Sequence, residues 1–336
     1  AYLWHQPLFV FARHRSIDEP SKLLLSGLAV VALVLAYLSW RYVETPFRNR
    51  QRFKGKQVFL YGALCSAVFV AFGLVGQFTN GFDSRLSKDE RELMAYSNFD
   101  YNSIYRRRLC FLDKDQSHSD FSNECRSSSM EQSTLIWGDS HAAALSVGLR
   151  KELSNVIQYT ASDCPPIRDA VIVRRPHCKD INDYVMREIQ RIKPRQIFLL
   201  ANWTLYNKRQ ELTENMKMTI DYVHSVSPST QVTIIGAVPQ WYPSLPARML
   251  KKRMAIENGQ YVRSSVLNDL GEVDKALDAV SKENDVEFFS SINALCVNDK
   301  CQSAITYNGT LTLTAWDYGH LTEGGSVLLA KKLLGE

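Results

Sequence analysis

Residues 134–141 are Thr134-Leu135-Ile136-Trp137-Gly138-Asp139-Ser140-His141, four residues suited to a strand that run directly into a Gly-Asp-Ser turn. A short apolar run bounded by turn residues is the mark of a buried strand. Immediately downstream, Ala142, Leu145, Leu149 and Leu153 fall on one face of a helix over 140–154. Strand, turn and helix form one unit, and the pattern recurs. Further strands are predicted at 156–159, 197–201, 232–238 and 286–289, the third of these ended by Pro239. Helical stripes lie between them: Ile181, Tyr184, Val185, Ile189 and Ile192; Leu212, Met216, Ile220 and Val223; Val266, Leu270, Val273, Leu277 and Val280. A closing helix follows over 327–334. Alternation of this kind predicts an α/β domain with a parallel sheet and crossover helices, covering residues 132–336. Residues 79–131 are polar, with a basic run at Arg106, Arg107 and Arg108 and a Ser-rich stretch from Ser117 to Ser129, and read as a linker or accessory region.

The first part of the 336-residue chain has a different character. Residues 22 to about 40 and 58 to about 76 are apolar runs without a charge after Lys22, each near the roughly 20 residues that span a bilayer core as a helix. Between them stand Arg41, Arg48, Arg50, Arg52, Lys54 and Lys56 against the single acid Glu44, the basic excess of a cytoplasmic loop. The second helix, over 57–78, then runs outward and delivers the rest of the chain to the periplasm or cell exterior. A second spanning run and the lack of a small-residue cleavage site argue against a signal peptide. The chain opens on AYLWHQPLFVFA without an initiating Met and is read as the C-terminal part of a longer membrane protein. Much of the net charge of +5 belongs to the loop, and the globular part has no basic patch interleaved with aromatics, so nucleic acid is not an expected partner.

Cys65 lies within the second apolar run, where a thiol acts as a small apolar residue. The other six cysteines follow the predicted membrane exit as three pairs close in sequence. An even count in an oxidising compartment suggests disulfides, and proximity guides the pairing to Cys110 with Cys125, Cys164 with Cys178, and Cys296 with Cys301, among the many connectivities six cysteines allow. Zinc is the competing reading. It would require ligand spacing that is missing here, with no C-x-x-C pair and no His cluster, so no metal is expected.

Three places carry chemistry. Ser140 stands at the turn after the first globular strand, where sites in open parallel sheets form and where a helix start offers unpaired N–H groups to an anion. It is there either a nucleophile or a helix cap. Asp317 and His320 are spaced so that, on a turn, the carboxylate holds one ring nitrogen and frees the other to take a serine proton; a surface loop with a capping Asp is the alternative. Asn202 follows the strand at 197–201, where its amide can donate to an oxyanion or simply form a turn.

Together these residues resemble the SGNH hydrolase and acetyltransferase superfamily, matching its blocks at Gly138-Asp139-Ser140, at Asn202, and at Asp317 with His320, over roughly 132–336. The resemblance implies a flavodoxin-like three-layer SGNH fold with Ser140 as nucleophile, His320 as general base then acid, Asp317 as its orienter, and Asn202 with the Ser140 backbone N–H as oxyanion donors. One block departs: where the family usually has a Gly after the second strand, this chain has Ala161-Ser162-Asp163-Cys164-Pro165-Pro166, and a backbone N–H near Ser162 is the expected substitute. Trp203, Trp316 and Tyr318 stand near the site as candidate sugar-stacking rings.

Tyr2-Leu3-Trp4-His5 with Pro7, and especially Arg41-Tyr42-Val43-Glu44-Thr45-Pro46-Phe47-Arg48, resemble the end of the acyltransferase-3 family of membrane enzymes, so residues 1–56 are expected to close such a domain; His5 is given no catalytic role. Members that add one helix and an SGNH domain include bacterial O-antigen acetyltransferases. That resemblance implies an inner-membrane protein whose membrane domain takes acetyl from cytoplasmic acetyl-CoA, and whose periplasmic SGNH domain passes it to a hydroxyl of an envelope polysaccharide, with no cofactor bound to this part of the chain. Two alternatives stay open on the residues alone: an SGNH esterase that removes acyl groups, and a glycan-binding module with a degenerate site.

Overall fold

The computed structural model describes residues 2–17, 19–48, 55–79, 81–126, 132–206 and 209–335. Arg50, Arg52 and Lys54 of the expected basic loop, and Ser127 to Ser129 of the Ser-rich stretch, lie outside the described residues. The chain divides into two units, one of residues 1–93 with 250–254 and one of residues 94–249 with 255–336.

The first unit is helical. A helix over Tyr2–Arg15 is followed by a continuous one over Lys22–Arg48, capped at its start by Ser21, whose side chain accepts from the Leu24 N–H at 3.2 Å. The latter runs past the expected end near residue 40 through a wide, π-helical turn at Trp40–Glu44, placed just before Pro46, which has no N–H to continue the regular ladder. A third helix spans Gly55–Phe78. Lys22–Arg48 and Gly55–Phe78 are both long and apolar enough to cross a membrane, and their apolar side chains are largely exposed.

In the second unit a six-stranded sheet is built from β1 (Phe111–Leu112), β2 (Thr134–Gly138), β3 (Val156–Ala161), β4 (Gln196–Leu200), β5 (Gln231–Ile235) and β6 (Glu287–Phe289). Their order across the sheet is β1-β3-β2-β4-β5-β6, with every neighbouring pair parallel. The apolar runs are continuous because both faces are buried. Leu135, Trp137, Ile197, Leu199, Val232 and Ile234 point to one side, and Ile136, Phe198, Leu200 and Ile235 to the other. The first side is covered by α2 (Cys178–Ile192), α3 (Arg209–Val226) and α4 (Leu267–Glu283), the second by α1 (Ser140–Glu152) and α5 (Glu323–Leu334). This is the three-layer α/β architecture expected from the sequence.

α1 and α5 pack at very close range. The Gly148 N–H donates to Ser326 Oγ at 2.7 Å, that hydroxyl donates onward to the Ala144 carbonyl at 2.7 Å, and a Cβ on Gly148 would stand 2.2 Å from the Ser326 carbonyl oxygen. The helix that begins at Ser140 is thereby locked to the helix that follows His320.

β5 ends at Ile235, before the expected end at residue 238: Gly236 N makes the last ladder bond, to the Phe289 carbonyl at 2.8 Å, and Ala237 N then turns out of the sheet to Asp274 Oδ1 at 2.7 Å. The segment before residue 132, whose polar composition suggests a linker, supplies edge strand β1 and the buried Tyr105. A two-residue strand is too short for any periodicity to register. Disulfides join Cys110 to Cys125, Cys164 to Cys178 and Cys296 to Cys301, and Cys65 is the free cysteine among the described residues.

Candidate active site

β2 and β4 end side by side, with Gly138 paired to Leu200. A side chain at Gly138 is excluded, since a Cβ there would lie 1.7 Å from the Leu200 carbonyl oxygen. That close approach brings the loop carrying Asp139 and Ser140 against the one carrying Asn202. Asp139 is buried and serves as the helix N-cap: its Oδ1 accepts from His141 N at 2.9 Å, while Oδ2 accepts from Asn202 N at 2.8 Å and from the Tyr206 hydroxyl at 3.1 Å. Burial pushes its pKa up to about 6, although these three donors favour the charged form. Ser140 is therefore the first helical residue rather than the cap, and its own N–H has no acceptor within the helix.

Asp317 shapes the turn before α5. Its Oδ1 accepts from Gly319 N at 3.0 Å and His320 N at 2.8 Å, and its Oδ2 takes the imidazole Nδ1 of His320 at 2.6 Å. With Nδ1 carrying the proton, Nε2 of His320 faces Ser140 Oγ at 2.8 Å and accepts from it. Trp316 lies flat against His320, with ring centroids 5.6 Å apart and planes 17° from parallel, and is itself stacked on Tyr101 and Phe99. Its indole N–H donates to the Tyr105 hydroxyl at 3.0 Å, and that hydroxyl donates to the Leu321 carbonyl. The imidazole is thus fixed by a carboxylate at its edge and an aromatic stack on its face.

Asn202 is buried and oriented by two donors to its carbonyl oxygen, Thr204 Oγ1 at 2.8 Å and Gln240 Nε2 at 2.9 Å, so its amide nitrogen faces the Tyr318 hydroxyl at 3.1 Å. A cavity of about 620 Å³ opens over this arrangement, its lining including Ser140, Ser162, His320, Trp316, Tyr318 and Tyr101. Asp113, Asp115 and Asp163 on its wall pair with Arg107, Arg108 and Lys114. No group of His, Cys, Asp and Glu suited to hold a metal occurs among the described residues.

Of the residues singled out from the sequence, Ser140, Asp317, His320 and Asn202 are brought together. Two expectations need correction. Trp203 is not a sugar platform: it is fully buried in the core beneath the sheet end, its Nε1 donating to the Ile235 carbonyl at 2.8 Å. The Ser162 N–H is not an oxyanion donor, because it is spent on the Leu112 carbonyl at 2.9 Å, a ladder bond between β3 and β1. The supporting residues Tyr206, Gln240 and His141 escaped the sequence reading. His141 is completely buried beside His320, ring centroids 5.0 Å apart, and burial, reinforced by His320, holds its pKa well below the ordinary imidazole range.

Fold and arrangement define an SGNH-type domain, the class of acyl-transferring α/β enzymes. The chain belongs to the family of SGNH domains fused to AT3 domains, whose family model matches residues 109–335. With its two long apolar helices, it is a membrane-anchored protein whose family pairs the SGNH domain with a membrane acyltransferase domain in the same chain. Among solved structures, the lipopolysaccharide acetyltransferase periplasmic domain of Salmonella ser. Paratyphi A shares the fold at a TM-score of 0.62 and 24% identity, covering 71% of this chain and 95% of that one. A putative platelet activating factor from Streptococcus pneumonia (TM-score 0.39, 15% identity, 78% and 98% covered) and a carbohydrate acetylesterase from Sinorhizobium meliloti (TM-score 0.39, 13% identity, 61% and 97% covered) are more distant. No curated protein matches the chain in sequence.

Proposed function

We propose that the chain is an O-acetyltransferase that carries an acetyl group on Ser140 and passes it, on the periplasmic side of the bacterial inner membrane, to a hydroxyl of an envelope polysaccharide, the O-antigen of lipopolysaccharide. The observation that carries this reading is the continuous hydrogen-bonded line from Asp317 through His320 to Ser140 Oγ, at 2.6 and 2.8 Å. Ser140 attacks the acyl carbonyl while His320 Nε2 takes its proton, Asp317 stabilises the imidazolium, and the Ser140 N–H and Asn202 amide face the developing oxyanion. His320 returns the proton to the leaving group, then removes one from the acceptor hydroxyl as it attacks acetyl-Ser140. The donor is cytoplasmic acetyl-CoA, a substrate of the membrane acyltransferase domain, which hands the acetyl group across the bilayer.

Transfer is favoured over hydrolysis by the family's fusion to membrane acyltransferase domains, which supplies a donor that a free esterase does not need. The shared fold of the Salmonella lipopolysaccharide acetyltransferase domain supports the choice of acceptor. The test is complementation. In a strain lacking the protein, the chain joined to its membrane acyltransferase domain restores O-acetyl groups on purified envelope polysaccharide, and the same protein carrying Ser140→Ala does not. Equal acetylation by the folded variant would contradict the proposal.

A further inference from the structure

The Ser162 N–H is committed to Leu112 and cannot serve an oxyanion, and the hydrogen bonds of Tyr318 point to a different donor. Two nitrogens converge on the Tyr318 hydroxyl: Asn202 Nδ2 at 3.1 Å and His141 Nε2 at 3.3 Å. Asn202 can only donate there, since its carbonyl oxygen is turned to Thr204 and Gln240. The tautomer of His141 follows from its other nitrogen. Nδ1 is buried and has no partner, and an orphaned N–H is rarer and costlier than a lone pair left over, so the proton sits on Nε2 and is donated to Tyr318. Burial keeps this imidazole neutral, consistent with a single ring proton.

Both lone pairs of the Tyr318 oxygen are then filled, and its own proton has no acceptor among these neighbours. Tyr318 lines the cavity together with Ser140 and His320. We infer that the Tyr318 hydroxyl is a hydrogen-bond donor to the oxyanion formed when Ser140 is acylated, acting beside the Ser140 N–H and the Asn202 amide. The inference rests on the acyl-transfer reading of the site. In the step it serves, the Ser140 Oγ–C bond forms, the carbonyl π pair moves onto oxygen, and the serine proton goes to His320 Nε2. Tyr318 keeps its proton throughout. Its stack on Tyr242, with centroids 5.7 Å apart and planes 18° from parallel, holds the ring while the hydroxyl acts.

Tyr318→Phe removes the hydroxyl and keeps the ring. Measured on the whole chain in detergent with an activated acetyl ester, it should lower kcat by about 10²-fold or more, the loss typical of one oxyanion donor, with KM changed less than about threefold. A residue that only holds Asn202 in place would act through Asn202, so the change is repeated in an Asn202→Ala background. A direct donor lowers kcat there by a further tenfold or more, on the order of the single-donor effect. No further loss in that background, or an unchanged kcat in the single variant, would overturn the inference while leaving wild-type turnover and the acyl-transfer reading intact. An inactive wild-type chain that no serine probe labels would overturn both.

Discussion

Asp139 Oδ2 accepts the backbone N–H of Asn202 at 2.8 Å, so one buried carboxylate ties the loop of the proposed nucleophile to the loop of the proposed oxyanion donor. The same carboxylate caps α1 and receives Tyr206, which makes it the joint between the ends of β2 and β4.

This joint should be visible in the pH dependence of stability. The folded-state pKa of Asp139 is raised to about 6 by burial, so between the ordinary carboxylate range and pH 6 the folded chain holds a proton that the unfolded chain has released. Stability from this group is therefore fully present below about pH 4 and is lost as pH rises through 6, by roughly 3 kcal/mol at about 1.4 kcal/mol per unit. Comparing denaturant midpoints of wild type and Asp139→Asn in the same detergent at pH 4 and pH 7 isolates the effect. The wild type should lose ground to the variant on going to pH 7; a constant difference would show that the carboxylate titrates normally.

Ser140→Ala should abolish acyl transfer at almost no cost in stability. The N-cap bond belongs to Asp139, so removing the Ser140 hydroxyl takes away no cap, and the expected change is within about 0.5 kcal/mol. Thermal unfolding beside an ester-hydrolysis rate checks both halves.

Asp317→Asn should leave the turn standing and disable the base. An amide oxygen can still accept from Gly319 N and His320 N, but its NH₂ then faces His320 Nδ1 and favours the tautomer whose Nε2 carries a proton and cannot accept one from Ser140. Turnover should fall by about 10³- to 10⁴-fold on matched folded protein, by analogy with the serine-protease case. A loss below about fivefold would remove Asp317 from the catalytic line.

Much of this was legible because the decisive residues sit on strongly patterned elements. Leu135 to Trp137, Ile197 to Leu200 and the stripe of Ile181, Val185 and Ile189 announce a doubly covered parallel sheet, and Ser140, Asn202 and Asp317 fall at its strand ends and final turn. β1 was invisible because Phe111 and Leu112 are two apolar residues in a polar stretch, and with it went the fate of the Ser162 N–H. Trp203 misled for a related reason. Its position one residue after Asn202 places it at the right end of the sheet, but the chain turns there into a short 3₁₀ segment that buries the indole. Gln240 and His141 act through contacts between residues far apart in the chain, which no local spacing records.

The disulfide between Cys164 and Cys178 closes the loop between β3 and α2 and lies in the core under the sheet. Replacing both cysteines by Ala should cost about 3 kcal/mol, the chain-entropy value for a loop of about 15 residues. Peptide mapping of exported protein under non-reducing conditions should recover this pair together with Cys110–Cys125 and Cys296–Cys301. Six free thiols would contradict both the pairing and the proposed periplasmic location.

The relay from the membrane predicts that this chain, supplied without a membrane acyltransferase domain, hydrolyses an activated ester but adds no acetyl to envelope polysaccharide in cells. Polar acyl donors do not cross the hydrocarbon core unaided. Restored acetylation by the chain alone would mean that the acetyl group reaches Ser140 by another route.

The most direct test of the central claim is covalent labelling of the whole chain with a fluorophosphonate, followed by mass spectrometry of its peptides. One adduct is predicted, on the peptide containing Ser140, absent after Ser140→Ala and formed at least about 100-fold more slowly after His320→Ala, because the serine is nucleophilic only while the imidazole takes its proton. Labelling at another residue, or at Ser140 with undiminished rate in the His320→Ala variant, would contradict the account.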